Sequence, residues 1–200
     1  MDYEDSTVKV FSDNALDYSD RQAPWQFQER ERKLFLSGIK PGGKILDLGC
    51  GPGNDAKRFA DLGYEVLAVD GAPGMVDLAR KKGLRGKVMK YSEIESLGEF
   101  FDGIWASYAL LHIPKADMVG VLNKIKKVLN PGGIFYASFR EGEGEDMRKD
   151  DRYKGGRYFA YYSKNELQGI FEQVFEKVEL DYVENRDGEK GGVYALVLKS

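Results

Sequence analysis

The sequence predicts an α/β fold in which a doubly wound, mostly parallel sheet is covered by helices on both faces. Short apolar segments alternate with segments of helical periodicity between residues 44 and 139, and a glycine-rich turn follows the first apolar segment. The last two apolar segments have no helix between them. Strands separated by helices pair in parallel, whereas strands joined by a turn pair in antiparallel. We therefore expect one reversed strand at the C-terminal end.

The predicted elements begin with two helices in a largely polar region. A short helix is expected over 14–19, and a second over 25–37, because Pro24 suits a helix start and Gly38 a stop. The predicted strands are 44–48, 65–69, 87–91, 101–106 and 134–139, followed by 178–183 and 193–198. The helices between them are 54–62, 73–82, 115–129 and 164–174, with a turn at 130–133 and a loop over 140–162. Ser163 is expected to cap the last helix, with Glu166 at the capping-box position.

Composition limits the classes of protein to consider. The chain has 200 residues, of which 42% are hydrophobic, which suffices for one core. The net charge of −3 argues against a non-specific nucleic-acid binder, and no apolar run is long enough to cross a bilayer. The single Cys50 excludes an intramolecular disulfide and a cysteine-rich metal site. We expect one domain without metal, nucleic-acid or membrane partners, cytoplasmic, and a monomer or weak homodimer.

A glycine-rich loop follows the first predicted strand. Gly49, Gly51 and Gly53 alternate with other residues directly before a helix. Without a Cβ, glycine lets the backbone turn sharply and approach a ligand, and the helix start presents N–H groups that suit a carboxylate. Asp47, on the strand, is a candidate for a ligand ammonium group or for the loop's own N–H groups. The alternative is a tight turn without a ligand.

The second predicted strand ends in an acid. Asp70 can accept both hydroxyl hydrogens of a ribose, since ligands of open α/β sheets bind at the carboxyl ends of the strands. The alternative is a helix N-cap or turn residue ahead of Pro73. A dinucleotide loop has GxGxxG spacing, whereas this chain has GxGxG, and Asp47 would repel a pyrophosphate. S-adenosylmethionine has an ammonium group and no phosphate, so the local charge favours it over a nicotinamide dinucleotide.

Four segments carry a resemblance to a known family: ILDLGCGPGN at 45–54, VLAVD at 66–70, FDGIWASYALLHIP at 101–114 and VLNPGGIFYASF at 128–139. They resemble the class I S-adenosylmethionine-dependent methyltransferases, especially the small type-11 and ubiquinone-biosynthesis-like branch. The resemblance implies a Rossmann-like, seven-stranded sheet of order 3-2-1-4-5-7-6 with the last strand antiparallel. It implies a single domain with a helical lid over 1–40, a cofactor-binding core over 41–140, and an acceptor-side loop, helix and hairpin over 141–200.

The same resemblance implies S-adenosylmethionine as cofactor, S-adenosylhomocysteine as product, and a set of contacts. Cofactor contacts are expected from Tyr18, Asp47, Gly49, Cys50, Gly51, Asp70, Gly71, Ala72, Met75 and Ser107. One departure concerns the adenine, because the family usually places an acid shortly after the third strand and this chain has Lys90 or Tyr91 there. We expect backbone groups of Tyr91, Ser92 and Glu93 to contact the adenine instead, unless Glu93 supplies the acid through a shifted loop.

The expected reaction is methyl transfer to a small-molecule acceptor by in-line displacement, driven mainly by alignment and desolvation. Alignment can supply about 7–11 kcal/mol of the barrier reduction, so a base is optional. His112, the sole histidine, follows the fourth strand and is the candidate base. The alternative is a buried histidine that satisfies the loop backbone. A catalytically silent cofactor-binding protein and, less favoured, an NAD-dependent oxidoreductase remain open.

The acceptor is expected to meet basic and aromatic residues. The candidates are Trp25, Tyr108, Arg140, Arg157 and Tyr158. Arginine and tyrosine can hold an anionic small acceptor, or aromatic faces can shield the sulfonium, and the alternative is a solvated flap. Nucleobases are disfavoured as acceptors, since Ala106-Ser107-Tyr108-Ala109 replaces the motif of amino-group methyltransferases after the fourth strand.

Overall fold

The computed structural model describes residues 3–21, 28–149, 153, 155–184 and 190–198. Its helices are α1 (Tyr3–Asp13), α2 (Ala15–Arg21), α3 (Glu29–Ser37), α4 (Asn54–Asp61), α5 (Pro73–Lys81), α6 (Lys115–Val128) and α7 (Lys164–Phe171). Its strands are β1 (Lys44–Leu48), β2 (Glu65–Asp70), β3 (Arg85–Val88), β4 (Phe101–Ser107), β5 (Leu129–Phe139), β6 (Glu145–Lys149), β7 (Gly156–Ala160), β8 (Val178–Glu184) and β9 (Lys190–Leu198). Short 3₁₀ turns cover Tyr91–Leu97 and Leu110–His112. Among the described helices, we find none with the length and apolar character that a membrane span requires.

The central sheet has seven strands in the order β3-β2-β1-β4-β5-β9-β8. Strands β1 to β5 pair in parallel, and β9 is antiparallel to both of its neighbours. Because β8 and β9 are the sixth and seventh strands of the sequence prediction, the predicted order 3-2-1-4-5-7-6 with a reversed last strand is confirmed.

Helices cover both faces of this sheet, as a doubly wound fold requires. Side chains alternate along β1, so Ile45 packs with Phe35 of α3 and Phe59 of α4, whereas Leu46 lies in the cluster on the opposite face. That second cluster includes Leu122 of α6 together with residues of α7. The two clusters hold the strands from both sides and keep their carboxyl ends in register.

Two predicted boundaries are wrong for local reasons. The third strand ends at Val88, not at residue 91, because the chain then enters a 3₁₀ turn whose start is held by the Lys90 N–H donating to Glu93 Oε2 at 3.0 Å. The turn predicted at 130–133 lies inside β5, where it is an insertion between two paired stretches.

Two regions have more structure than the sequence suggested. The loop predicted over 140–162 contains an antiparallel pair, β6 with β7. Every residue of β6 is exposed, so this strand lacks the apolar alternation by which strands are recognised. Helix α1 was also not predicted, since few of its residues face a core. Trp25 and the first residues of the helix predicted at 25–37 lie outside the described residues.

The parallel strands bring their carboxyl ends to one edge of the sheet. Asp47, Asp70 and Ser107 lie at or near the ends of β1, β2 and β4, and Arg140 directly follows β5. Helix α1 packs against α5 and β7 beside this edge. These four predicted site residues are therefore gathered at one edge, under a helical cover.

Candidate functional site

A cavity of about 1060 Å³ lies at the carboxyl edge of the sheet. Its volume is at the upper end of the range of small-molecule sites. The predicted site residues that line it are Tyr18, Asp47, Gly49, Cys50, Gly51, Asp70, Gly71, Ala72, Met75, Tyr91, Ser107, Tyr108, His112, Arg140 and Arg157. Ser92, Glu93 and Tyr158 do not line it, and Trp25 lies outside the described residues.

The glycine loop approaches the cavity with its bare backbone. Gly49 has φ of 76°, and a Cβ there would lie 2.4 Å from the Ala109 Cβ and 3.0 Å from the Tyr91 hydroxyl. Gly51 has φ of 52°, and the space that its Cβ would occupy is open among the described residues. Gly49 is therefore required by packing and conformation, whereas Gly51 leaves room for a ligand against the backbone.

Asp47 anchors one side of this loop. Asp47 is 3% exposed, and its Oδ2 accepts the Ala56 N–H of α4 at 3.1 Å. Burial raises the pKa of Asp47 well above its usual range, with the nearby Asp55 charge adding to the effect. A ligand cation placed here would offset both effects, because an opposite charge favours the ionised carboxylate.

A charged group from the N-terminal region reaches the same end of the cavity. Arg32 of α3 donates from Nη1 to Asp55 Oδ1 at 3.0 Å, and both residues line the cavity. Trp105 donates from Nε1 to the other oxygen of Asp55 at 3.0 Å. This pairing was not predicted, since Arg32 and Asp55 come from separate helices and no local pattern relates them.

Asp70 lies across the loop from Asp47. Oδ2 accepts the Gly51 N–H at 2.9 Å, and Oδ1 accepts the Ala72 N–H at 2.8 Å. Each oxygen keeps a further lone pair. Burial raises the pKa of the Asp70 carboxyl, and these two hydrogen bonds oppose that shift. The carboxylate thus ties the loop to β2 while lining the cavity.

The wall beyond Asp70 combines apolar and backbone groups. Gly71, Ala72, Met75 and Met89 line it, and the Tyr91 hydroxyl donates to the Ala109 carbonyl at 3.2 Å. The Glu93 carboxylate caps the 3₁₀ turn instead of facing the cavity. The predicted adenine contacts of Ser92 and Glu93 therefore have no support in the geometry, and Tyr91 remains.

Helices α1 and α2 form the cover. Ser12 Oγ of α1 accepts the Gly74 N–H of α5 at 3.1 Å, and Thr7 Oγ1 accepts the Tyr158 N–H of β7 at 2.9 Å. Tyr18 of α2 packs edge-on against Phe11, with ring centroids 5.5 Å apart. Burial raises the pKa of Tyr18 to about 12, and the charges of two arginines partly oppose it. Helices α1 and α2 thus present Phe11 and Tyr18 to the cavity on this side.

The opposite wall is basic and aromatic. Arg157 is 7% exposed, and its Cζ lies 5.2 Å from the Phe11 ring centroid, 4.9 Å from that of Tyr153 and 5.1 Å from that of Phe159. The Arg140 Cζ lies 5.0 Å from the same Phe159 centroid. Tyr158, next along β7, turns its hydroxyl away to Glu145. Alternation along a strand explains why the Tyr158 side chain faces away from the cavity that Arg157 and Phe159 line.

His112 lies between these walls. Its Nδ1 is 2.6 Å from the Tyr158 carbonyl oxygen, so we infer that Nδ1 carries the proton and donates it. Burial lowers the pKa of His112 to about 4, with smaller contributions from Arg157 and Arg140. The imidazole is therefore neutral at pH 7, and Nε2 is its one nitrogen able to accept a hydrogen bond. Its bond to the Tyr158 carbonyl of β7 agrees with the alternative that His112 is a buried histidine satisfying a backbone group.

A buried network beside Ser107 was missed by the sequence analysis. Gln28 has φ of 61° and is 5% exposed, and its Oε1 accepts the Ser107 hydroxyl at 2.7 Å. Its Nε2 donates to the hydroxyls of Tyr136 at 2.9 Å and Ser138 at 3.2 Å. Ser138 Oγ in turn accepts the N–H of Tyr108, whose φ is 49°. The network holds Tyr108 in the left-handed conformation that places it at the cavity.

Comparison with known proteins finds a methyltransferase domain in the middle of the chain. Residues 45–133 match the model of a methyltransferase domain family. A ubiquinone biosynthesis O-methyltransferase of Xanthomonas campestris is 31% identical over 105 residues, covering 49% of this chain and 43% of the relative. A sterol 24-C-methyltransferase of Gibberella zeae is 35% identical over 109 residues, covering 49% and 28%. These matches span less than half the length of the curated relatives.

A solved structure shares the fold along nearly the whole chain. The 1,6-didemethyltoxoflavin-N1-methyltransferase of Burkholderia thailandensis superposes with a TM-score of 0.79 at 22% identity, covering 99% of this chain and 89% of that one. The family match covers the strand, loop and acid that form the cavity floor. Residues 45–133 of the chain are therefore similar to a methyltransferase domain, and the fold is that of a solved methyltransferase.

Proposed function

We propose that the protein transfers the methyl group of S-adenosylmethionine to a small-molecule acceptor. The observation that carries the proposal is one cavity in which the buried carboxylate of Asp47 and the partly buried carboxylate of Asp70 flank an open glycine backbone. A ribose and an ammonium group suit these two acids, whereas a pyrophosphate would meet uncompensated negative charge. The residues present thus suit this cofactor better than a dinucleotide.

The cofactor pose follows the strand order. We place the amino-acid end over β1, with the ammonium at Asp47 and the carboxylate toward Arg32, which pairs with Asp55 at this end of the cavity. The ribose then lies at Asp70 over β2, and the adenine against Gly71, Ala72, Met75 and Tyr91. Cys50 lines the loop side, and Ser107 and Tyr18 flank the reacting end.

The chain's own residues contribute alignment and exclusion of water. When bound, the sulfonium supplies a methyl group already activated for displacement. Tyr18 and Phe11 close one side of the cavity, and the Gln28 network holds Tyr108 on the other. Holding an acceptor in line between such walls can lower the barrier by about 7–11 kcal/mol. We assign 1–40 to the cover, 41–140 to the cofactor floor and 141–200 to the acceptor side.

His112 serves the reaction as a hydrogen-bond acceptor in this proposal. A pKa of about 4 makes its imidazole a weak base at pH 7. Nε2 can still orient an acceptor's hydroxyl or amino group by accepting its hydrogen bond. An acceptor that binds already deprotonated needs no general base.

The relatives are named for methyl transfer at oxygen, carbon and nitrogen, so they do not select one attacked atom for this chain. A calorimetric titration tests the proposal directly. We expect saturable binding of S-adenosylmethionine and S-adenosylhomocysteine, no binding of NAD, and S-adenosylhomocysteine production with a member of an acceptor panel. Binding of NAD without S-adenosylmethionine would overturn the proposal. Cofactor binding without turnover of any member would favour the catalytically silent alternative.

A further inference from the structure

Two guanidinium groups converge on the side of the cavity away from the cofactor floor. Arg140 follows β5 and Arg157 belongs to β7, yet both lie about 5 Å from the Phe159 ring, at 5.0 and 5.1 Å. Aromatic rings attract a cation through their quadrupole and carry no net charge. The rings therefore hold these arginines in place without neutralising them.

Carboxylates of the protein do not cancel the charge of Arg140. Within the described parts of the chain, Arg140 forms no ion pair, although its neighbour Glu141 also lines the cavity. Asp47 and Asp70 are held at the floor by backbone N–H groups of the glycine loop and its helix. Positive charge thus accumulates at one wall of the cavity and negative charge at another.

Both arginines act on the same enclosed space. Each lowers the pKa of His112, and each opposes the burial effect on the pKa of Tyr18. Arg140 has the same opposing effect on Tyr108, whose pKa is raised to about 12 by burial. Three cavity-lining groups therefore feel a positive field at this wall.

The cofactor's own carboxylate does not account for this wall. In the proposed pose that carboxylate lies over β1, beside the start of α4 and Arg32, which also pairs with Asp55. The sheet order β2-β1-β4-β5 places Arg140 two strands from β1. The arginine wall lies beside the space beyond the reacting methyl group, where an acceptor must bind.

From these observations we infer that the acceptor carries an oxyanion, a carboxylate or a phosphate-type group, that binds to Arg140 and Arg157. This inference rests on the proposed methyl transfer and names its substrate class. A planar guanidinium donates up to five hydrogen bonds and matches the two oxygens of a carboxylate or phosphate. The oxyanion fixes the acceptor at one end, so its nucleophilic atom is presented to the methyl group at the other.

The test uses the protein saturated with S-adenosylhomocysteine and three probes: benzoate, its neutral analogue benzamide, and inorganic phosphate. Calorimetry should show saturable binding of benzoate or phosphate and no binding of benzamide. The anion that binds with the higher affinity identifies the class of oxyanion, a carboxylate or a phosphate-type group. Arg140→Gln should weaken anion binding by about 10-fold or more, because a charge-assisted hydrogen bond is lost. Its affinity for S-adenosylhomocysteine should stay unchanged.

Arg148→Gln is the matched control. Arg148 is a nearby exposed arginine that pairs with Asp146 and does not line the cavity, so neither affinity should change. Absence of anion binding, equal binding of benzamide, or full anion affinity in Arg140→Gln would each overturn the inference while leaving methyl transfer intact. Failure of the wild-type protein to bind S-adenosylhomocysteine would instead overturn the proposed function, and this inference with it.

Discussion

Replacing Asp70 tests the cofactor floor most sharply, because one carboxylate serves two purposes there. Its oxygens accept the N–H groups of Gly51 and Ala72 at 2.9 and 2.8 Å, and its remaining lone pairs are available to a ribose. The variant Asp70→Ala removes the ribose acceptors and also releases the glycine loop from β2. The two consequences are measured separately, as ligand affinity and as the free energy of unfolding.

The expected loss of affinity follows from the hydrogen bonds removed. A hydrogen bond to a charged group contributes about 1.5–3 kcal/mol, and every 1.4 kcal/mol is tenfold in a dissociation constant. Losing even one ribose hydroxyl contact should therefore weaken binding of S-adenosylhomocysteine by about 10- to 150-fold. Isothermal titration calorimetry measures this ratio without requiring a known acceptor.

The stability of the variant is a separate readout. Stranding a buried N–H costs about 1–3 kcal/mol, so urea denaturation should show a lower free energy of unfolding for Asp70→Ala. If that variant does not fold, Asp70→Asn keeps one acceptor oxygen and removes the charge. Asp77→Ala is the control, since Asp77 is exposed on α5 and pairs only with Arg80 among the contacts described. A folded Asp70→Ala that binds within about twofold of wild type would refute the placement of the ribose.

Three further predictions concern the opposite walls. Arg157→Ala should raise the Michaelis constant of the acceptor more than that of the cofactor in steady-state kinetics, and the reverse would remove β7 from the acceptor site. The pKa of His112 is lowered from 6.5 to about 4, so the stabilisation from its neutral form is complete above pH 6.5 and lost as the pH falls through 4. His112→Asn keeps a donor for the Tyr158 carbonyl but has no imidazole to titrate. Between pH 6.5 and pH 4, urea denaturation should therefore show a loss of unfolding free energy about 3 kcal/mol smaller for this variant than for the wild type. Equal losses in the two proteins would contradict the assignment. Gln28→Leu should lower the free energy of unfolding by about 1–3 kcal/mol and weaken the hold on Tyr108, and an unchanged urea midpoint would show that the network is dispensable.

The floor of the site could be predicted from sequence because its signals are local. Each signal spans only a few residues: the strand that ends near Asp47, the glycines that follow it, and the acid Asp70 at the end of the next strand. Parallel pairing then brings their ends to one edge of the sheet, as the strand order confirms. Local periodicity and the rule that ligands bind at the carboxyl ends of the strands were together sufficient to predict the floor of the site.

The cover and the acceptor wall depend on contacts between distant segments, which sequence patterns do not encode. Gln28 meets residues of β4 and β5 more than seventy positions away. The exposed strand β6 has no apolar alternation, so the hairpin that orients Tyr158 away from the cavity had no local signature. Glu93 was placed at the adenine by its position in the chain, whereas its carboxylate caps a turn.

A crystal structure with S-adenosylhomocysteine bound tests the central claim most directly. We predict the ribose hydroxyls within hydrogen-bond distance of Asp70, the ammonium near Asp47, and the sulfur facing the space between Ser107 and Arg140. A ligand whose ribose lies away from Asp70, or whose amino-acid end occupies the arginine wall, would contradict the account.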